Sequence, residues 1–179
     1  MQAICFALIF GAALLCTLAA ADEASDVPDS FEIFDKFPFA IAISDSNNDT
    51  IYECLTAKRA WFDRDAKKGE YIWLLRGHHG KPKKTLSFYV ADGSSPDTFI
   101  YMEGSEDAKP EVGTFYYTDM ETCAVLDMPF SGRQCILWAA EDKQDSLPQK
   151  CLDEFSEHCG VGIPLYSKDL CKEDEISHW

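Results

Sequence analysis

The chain has 179 residues and a formal net charge of −15. So acidic a surface repels phosphate backbones, which excludes nucleic acid as a natural partner. The length is that of one domain with a real core, and eight cysteines in a chain this short point to an oxidising compartment.

Residues 3–21 form an uncharged apolar run, with Ala19 and Ala21 at the small-residue positions of a cleavage site. The run reads as a secretory signal peptide, 1–21, rather than a membrane anchor. A single domain, 22–179, is then expected to be secreted, monomeric and free of the membrane. Residues 22–30 are polar and acidic. In DSFEIFDKF (29–37), Phe31, Phe34 and Phe37 recur at helical spacing and Asp29 or Ser30 can cap, so a short helix or turn is expected to plug one end of the fold.

Eight strand-like runs follow, separated by polar turns: 39–44, 50–62, 70–76, 85–91, 98–103, 113–118, 122–128 and 134–140. No helical pattern interrupts them. Short regular connections of this kind predict an antiparallel meander, and eight such strands close into an up-and-down barrel able to hold one small ligand. The first turn carries the sequon Asn48-Asp49-Thr50, which makes Asn48 a glycosylation candidate. In EYIWLLR, with Arg76 toward solvent, Tyr71, Trp73 and Leu75 point inward. In TLSFYVA the inward set is Leu86, Phe88 and Val90. The run 50–62 does not alternate, and its faces stay unassigned. His78-His79 and the nearby Arg76, Lys81, Lys83 and Lys84 read as a charged, solvated turn, since adjacent histidines lack metal-ligand spacing.

The last third carries most of the information. Val112–Trp138 holds two apolar runs, CAVL and CILW, flanking a turn centred near Pro129, which puts Cys123 and Cys135 roughly opposite each other. A helix over about 147–159 follows. Ser146–Gln149 has the form of a capping box, Cys151, Leu152, Phe155 and Cys159 share one face, and Gly160 can end it. The tail is 160–179. Cys5 and Cys16 leave with the signal peptide, so six cysteines remain for three disulfides. Cys151 and Cys159 lie about 12 Å apart along a helix and cannot pair with each other. Cys123 and Cys135 can bond across their hairpin, or each can bond one helix cysteine, in either combination. The second arrangement is preferred because it explains why the helix shows both thiols on its apolar face. Cys54 and Cys171 are then left to tie the early strands to the tail.

If both strand cysteines face outward to the helix, alternation turns Ala124, Leu126, Ile136 and Trp138 inward. With Trp73, Phe88, Tyr101 and Tyr117 they are candidate ligand contacts. His158 beside Cys159 resembles a protease dyad only on paper, and no catalytic or phosphate-binding motif occurs. No cofactor is implied, and neither a metal site nor an enzyme is expected.

The segments IYECL, YYTDMETCAVL, QCILW and LPQKCLDEF, with Cys171, resemble the tick salivary lipocalins of the histamine-binding family over nearly the whole chain. That resemblance implies a lipocalin barrel with a C-terminal helix, capture of a host mediator such as a biogenic amine or a lipid, and the bridges Cys54–Cys171 and Cys123–Cys151. Amine-binding members place an Asp and a Glu where this chain has Ala124 and Ile136. A cation buried in an apolar cavity needs a carboxylate, so this departure favours an apolar or amphipathic ligand, with Asp119 or Glu103 as candidate replacement carboxylates. Two other readings are a lipocalin that acts through its surface on a complement or clotting protein, and a disulfide-bridged protease inhibitor.

Overall fold

The computed structural model describes residues 27–48, 51–77 and 81–172. The expected signal peptide, the rest of the sequon after Asn48, and His78-His79 lie outside the described residues; Asn48 itself is exposed. The elements are α1 Ser30–Lys36, β1 Phe39–Asp45, β2 Thr56–Asp63, β3 Lys68–Leu75, β4 Lys84–Asp92, β5 Thr98–Glu103, β6 Glu111–Thr118, β7 Cys123–Met128, β8 Gln134–Ala140, α2 Gln149–Cys159 and β9 Ile163–Pro164.

Strands β1 to β8 pair antiparallel in chain order, and β1 also pairs with β2, which closes the barrel. This is the eight-stranded up-and-down architecture expected, with one C-terminal helix on its outer wall. The closing seam is short. Only Phe39–Ile41 of β1 meet β2, and β9 from the tail covers the next stretch by pairing with Ser44 and Asp45. That ninth strand is an addition to the expected eight.

Helix α1 starts at Asp29, whose carboxylate accepts from the N–H groups of Phe31 (2.9 Å) and Glu32 (3.0 Å). It buries Phe31, Ile33 and Phe34 and plugs one end of the barrel. Ser30 fastens it to the β4–β5 turn by donating to the carbonyls of Pro96 and Thr98.

Three single-residue bulges break the strand alternation: Ile43 in β1, Ala60 in β2 and Tyr116 in β6. The bulge at Ala60 accounts for the irregular run 50–62, whose first residues, 51–54, form a turn rather than a strand. Arg76 corrects another expectation. It lies just past β3 and is only 9% exposed, with its guanidinium toward the Thr56 hydroxyl at 3.5 Å. Tyr71, Trp73 and Leu75 nevertheless face the interior as expected, as do Leu86, Phe88 and Val90.

The β7–β8 turn is also shifted. Met128 pairs with Gln134, so the loop is centred on Ser131 rather than Pro129, and Cys123 lies opposite Ala139 while Cys135 lies opposite Asp127. The cysteines are not cross-strand neighbours, yet both point outward. Helix α2 begins two residues later than expected. Pro148 is the residue before it, extended at φ −58°, and no side chain caps the helix, so the expected capping box does not form.

Candidate functional site: the barrel interior

The bridges are Cys54–Cys171, Cys123–Cys151 and Cys135–Cys159. Two of them clamp α2 to the outer face of β7 and β8, and the apolar layer beneath the helix is completed by Val125, Leu137 and Phe155. With one face of the hairpin committed to the helix, period two sends Ala124, Leu126, Ile136 and Trp138 into the barrel. Cys159 is therefore a bridge cysteine and not a nucleophile beside His158.

The interior is built mostly of rings. At the plugged end Phe34 lies 5.0 Å from both Tyr71 and Phe99 and 5.4 Å from Phe115, between ring centroids. The Tyr71 hydroxyl donates to the carbonyls of Phe34 (2.6 Å) and Phe37 (3.0 Å), which bonds the end of α1 to the barrel floor. Burial pushes the Tyr71 phenol well above its ordinary range. Phe99 can lie flat across its neighbour because that neighbour is Gly113. A Cβ there would come within 2.3 Å of the Phe99 ring.

Further along, Trp138, Trp73, Phe88 and Tyr101 form a continuous ring wall, with successive centroids at 5.3, 4.7 and 5.9 Å. Phe130 and Tyr52 close on Trp73 from the β7–β8 loop and the 51–54 turn. Between the floor and this wall lies a cavity of about 60 Å³. Its lining includes Ile33, Phe34 and Phe37 of α1, Ala40, Ala57, Tyr71, Trp73, Phe88, Val90, Phe99, Tyr101, Phe115, Ala124, Leu126, Met128 and Trp138. No aspartate, glutamate, lysine, arginine or histidine is among them.

Six of the nine candidate contacts, Trp73, Phe88, Tyr101, Ala124, Leu126 and Trp138, thus line one space. Ile136 faces inward but is packed shut, at 0% exposure, and does not reach the cavity. Tyr117 and Asp119 lie elsewhere. The bulge at Tyr116 pairs Tyr117 with outward-facing Val125 rather than with inward-facing Ala124, so Tyr117 packs beneath α2, where the Lys150 ammonium sits 5.3 Å over its ring. Asp119 stands outside the barrel and organises the β6–β7 turn. Its carboxylate accepts from the N–H groups of Glu121, Thr122 and Cys123 and from the Thr122 hydroxyl. Burial pushes this carboxyl up, but the hydrogen bonds from Thr122, Cys123 and Glu121 outweigh it and hold the group below its usual range. The sulfurs of Cys123 and Cys151 lie within 4.8 Å of it, but they are bonded to each other and offer no thiolate to a metal. Glu103 is exposed at the end of β5. Neither candidate carboxylate lines the cavity.

Sequence reasoning missed Phe99 and Phe115 as cavity residues. Stepping back by two from Tyr101 reaches Phe99, so the signal was present. It also missed Ile33 as a cavity residue, although the plugging of one end by a helix over these residues was expected and is found.

The model of the tick histamine-binding protein family matches residues 34–173. Comparison with curated protein sequences finds no match. Among solved structures, the fold is similar to lobster apocrustacyanin A1, with a TM-score of 0.54 and 12% identity over 78% of this chain and 81% of that one. It is similar also to AM182 in its serotonin complex, with a TM-score of 0.56 and 13% identity over 78% of this chain and 90% of that one. At such identities the likeness carries the lipocalin fold alone, whereas the family match spans most of the sequence: the chain belongs to the tick histamine-binding protein family.

Proposed function

We propose that this protein is a secreted, non-catalytic lipocalin of tick saliva that sequesters a small apolar or amphipathic host mediator inside its barrel and so blunts a host defence. One observation carries the choice of ligand class. Among the described residues the cavity has an aromatic and aliphatic lining with no carboxylate in it. An ammonium placed there would be stripped of water without a counter-charge, which an apolar medium penalises heavily. Ala124 supports the same reading from within the cavity, and Ile136 supports it from the packed wall beside it. The neighbour AM182 holds serotonin; an amine in this barrel would meet ring faces but no acid. Three disulfides fit an extracellular setting.

Trp73 and Trp138 both line the cavity, so ligand entry is expected to perturb tryptophan fluorescence. The test is a parallel titration with histamine, serotonin, a leukotriene and arachidonic acid. Saturable quenching by a lipid with no response to the amines is the expected result. Tight histamine binding would overturn the ligand class. The volume, about 60 Å³, is smaller than any of these ligands, so their entry requires the rings to move apart, and it supports a second reading in which the barrel is a scaffold and the surface engages a host protein. Silence from all four ligands would select it.

A further inference from the structure

Among the described residues, two polar atoms of the cavity lining meet no hydrogen-bond partner: the Tyr101 hydroxyl and the Trp138 indole N–H. Tyr101 is 3% exposed and Trp138 4%, and both line the cavity. Buried donors are almost always bonded, and an unbonded one is costly to keep. The same lining shows a tyrosine that serves the architecture. Tyr71 spends its hydroxyl on two backbone carbonyls. Tyr101 does no such thing, and it stands at one end of the ring wall whose other end is Trp138, with Trp73 and Phe88 between them.

We propose that Tyr101 and Trp138 are the two polar anchors of the ligand, whose buried part is neutral, bears hydrogen-bond acceptors and lies along the faces of Trp73 and Phe88. The indole N–H only donates, so the atom opposite it is an acceptor such as a carbonyl, ether or ring nitrogen. The phenol acts as a donor as well. Burial pushes its pKa up to about 12, with the nearby Glu111 and Glu103 acting in the same direction, so it stays protonated at neutral pH. The absence of any charged group from the lining makes the ligand neutral where it is buried. This inference rests on the barrel interior being the ligand site.

The test uses two probes of one shape, 1,4-diacetylbenzene with a carbonyl at each end and 1,4-diethylbenzene with none, titrated calorimetrically into wild type, Tyr101→Phe and Trp138→Phe. Each substitution is expected to weaken 1,4-diacetylbenzene by roughly three- to tenfold, the range of one hydrogen bond, while 1,4-diethylbenzene binds Tyr101→Phe at least as well as wild type. Thermal unfolding without ligand adds an independent reading. Tyr101→Phe removes an unbonded hydroxyl and is expected to unfold about 2–4 °C higher, a gap that excess 1,4-diacetylbenzene narrows. Equal loss for both probes, a loss confined to one substitution, or a lowered unfolding temperature in Tyr101→Phe would overturn the anchors while leaving the interior site intact. Failure of wild type to bind either probe would remove the interior site itself, and the anchors with it.

Discussion

The β7–β8 hairpin has two faces that are equally buried and put to opposite uses. On the outer face Cys123, Val125, Cys135 and Leu137 have no exposed surface, and they meet a helix held by two covalent bonds. On the inner face Ala124, Leu126 and Trp138 are 2%, 6% and 4% exposed, yet they border open space, and one of them carries a donor without a partner. Accessibility therefore does not tell a packed wall from a binding wall. The distinction lies in whether the volume is filled and whether the polar atoms are bonded.

The strongest way to break this contrast is to charge the inner face. Ala124→Asp, set opposite Trp138, buries a carboxylate without a cation and is expected to cost about 3–5 kcal/mol at neutral pH. Burial raises the pKa of the new acid, while the unfolded chain ionises near pH 4. The charge penalty is then absent below about pH 4 and grows as the pH rises. Urea unfolding at pH 4 and pH 7 measures this, and serotonin is expected to recover part of the loss at pH 7. A variant equally stable at both pH values would show that the site is already wet.

Removing a clamp on the outer face has the next largest effect. Cys135→Ala with Cys159→Ala opens a loop that spans 24 residues. The expected loss is about 3–4 kcal/mol, with ligand affinity inside the barrel changed less than twofold. An affinity that collapsed together with stability would show that the two faces act as one unit.

The smallest effect sharpens the contrast at the turn that leads into the hairpin. Asp119→Asn keeps one acceptor oxygen but loses the charge, at a cost of about 1 kcal/mol at neutral pH. The wild-type carboxyl has a folded pKa below its unfolded value. Its contribution is present above about pH 4 and lost as the pH falls through the folded pKa, whereas that of Asn does not titrate. The two unfolding midpoints are expected to converge between pH 7 and pH 3. A constant difference would place the benefit in shape rather than charge.

Much of this fold could be read from residue order because period two runs unbroken through β3 and β4. Tyr71, Trp73 and Leu75, and Leu86, Phe88 and Val90, follow from it directly. The failures fall at inserted residues. Nothing in the sequence around Ala60 or Tyr116 marks a bulge, and each bulge shifts every later side chain to the other face, which is why Tyr117 was expected inside. The hairpin centre was displaced for a different reason. Pro129 drew attention away from Ser131-Gly132, both of which take positive φ and make the actual turn. Helical rise excludes Cys151–Cys159, but the choice of Cys123–Cys151 among the remaining pairings came from the family resemblance and not from spacing. The volume of the cavity and its two unbonded donors were not legible, since they depend on how rings from five strands and a helix interlock.

The seam where β1 meets β2 sets an order of events during synthesis. Its gap is filled by β9, Cys54 N–H donates to the Leu165 carbonyl, and Leu165 N–H donates to the Ile43 carbonyl. The bridge from Cys54 spans 117 residues to Cys171. A chain made from its N-terminus thus exposes Cys54 early and supplies its partner last, after four other cysteines of the domain have gone by. The barrel can be wound before the tail arrives but cannot be locked. Its final latch is the segment that carries Cys171, and fidelity depends on Cys54 either waiting or exchanging out of an early wrong partner.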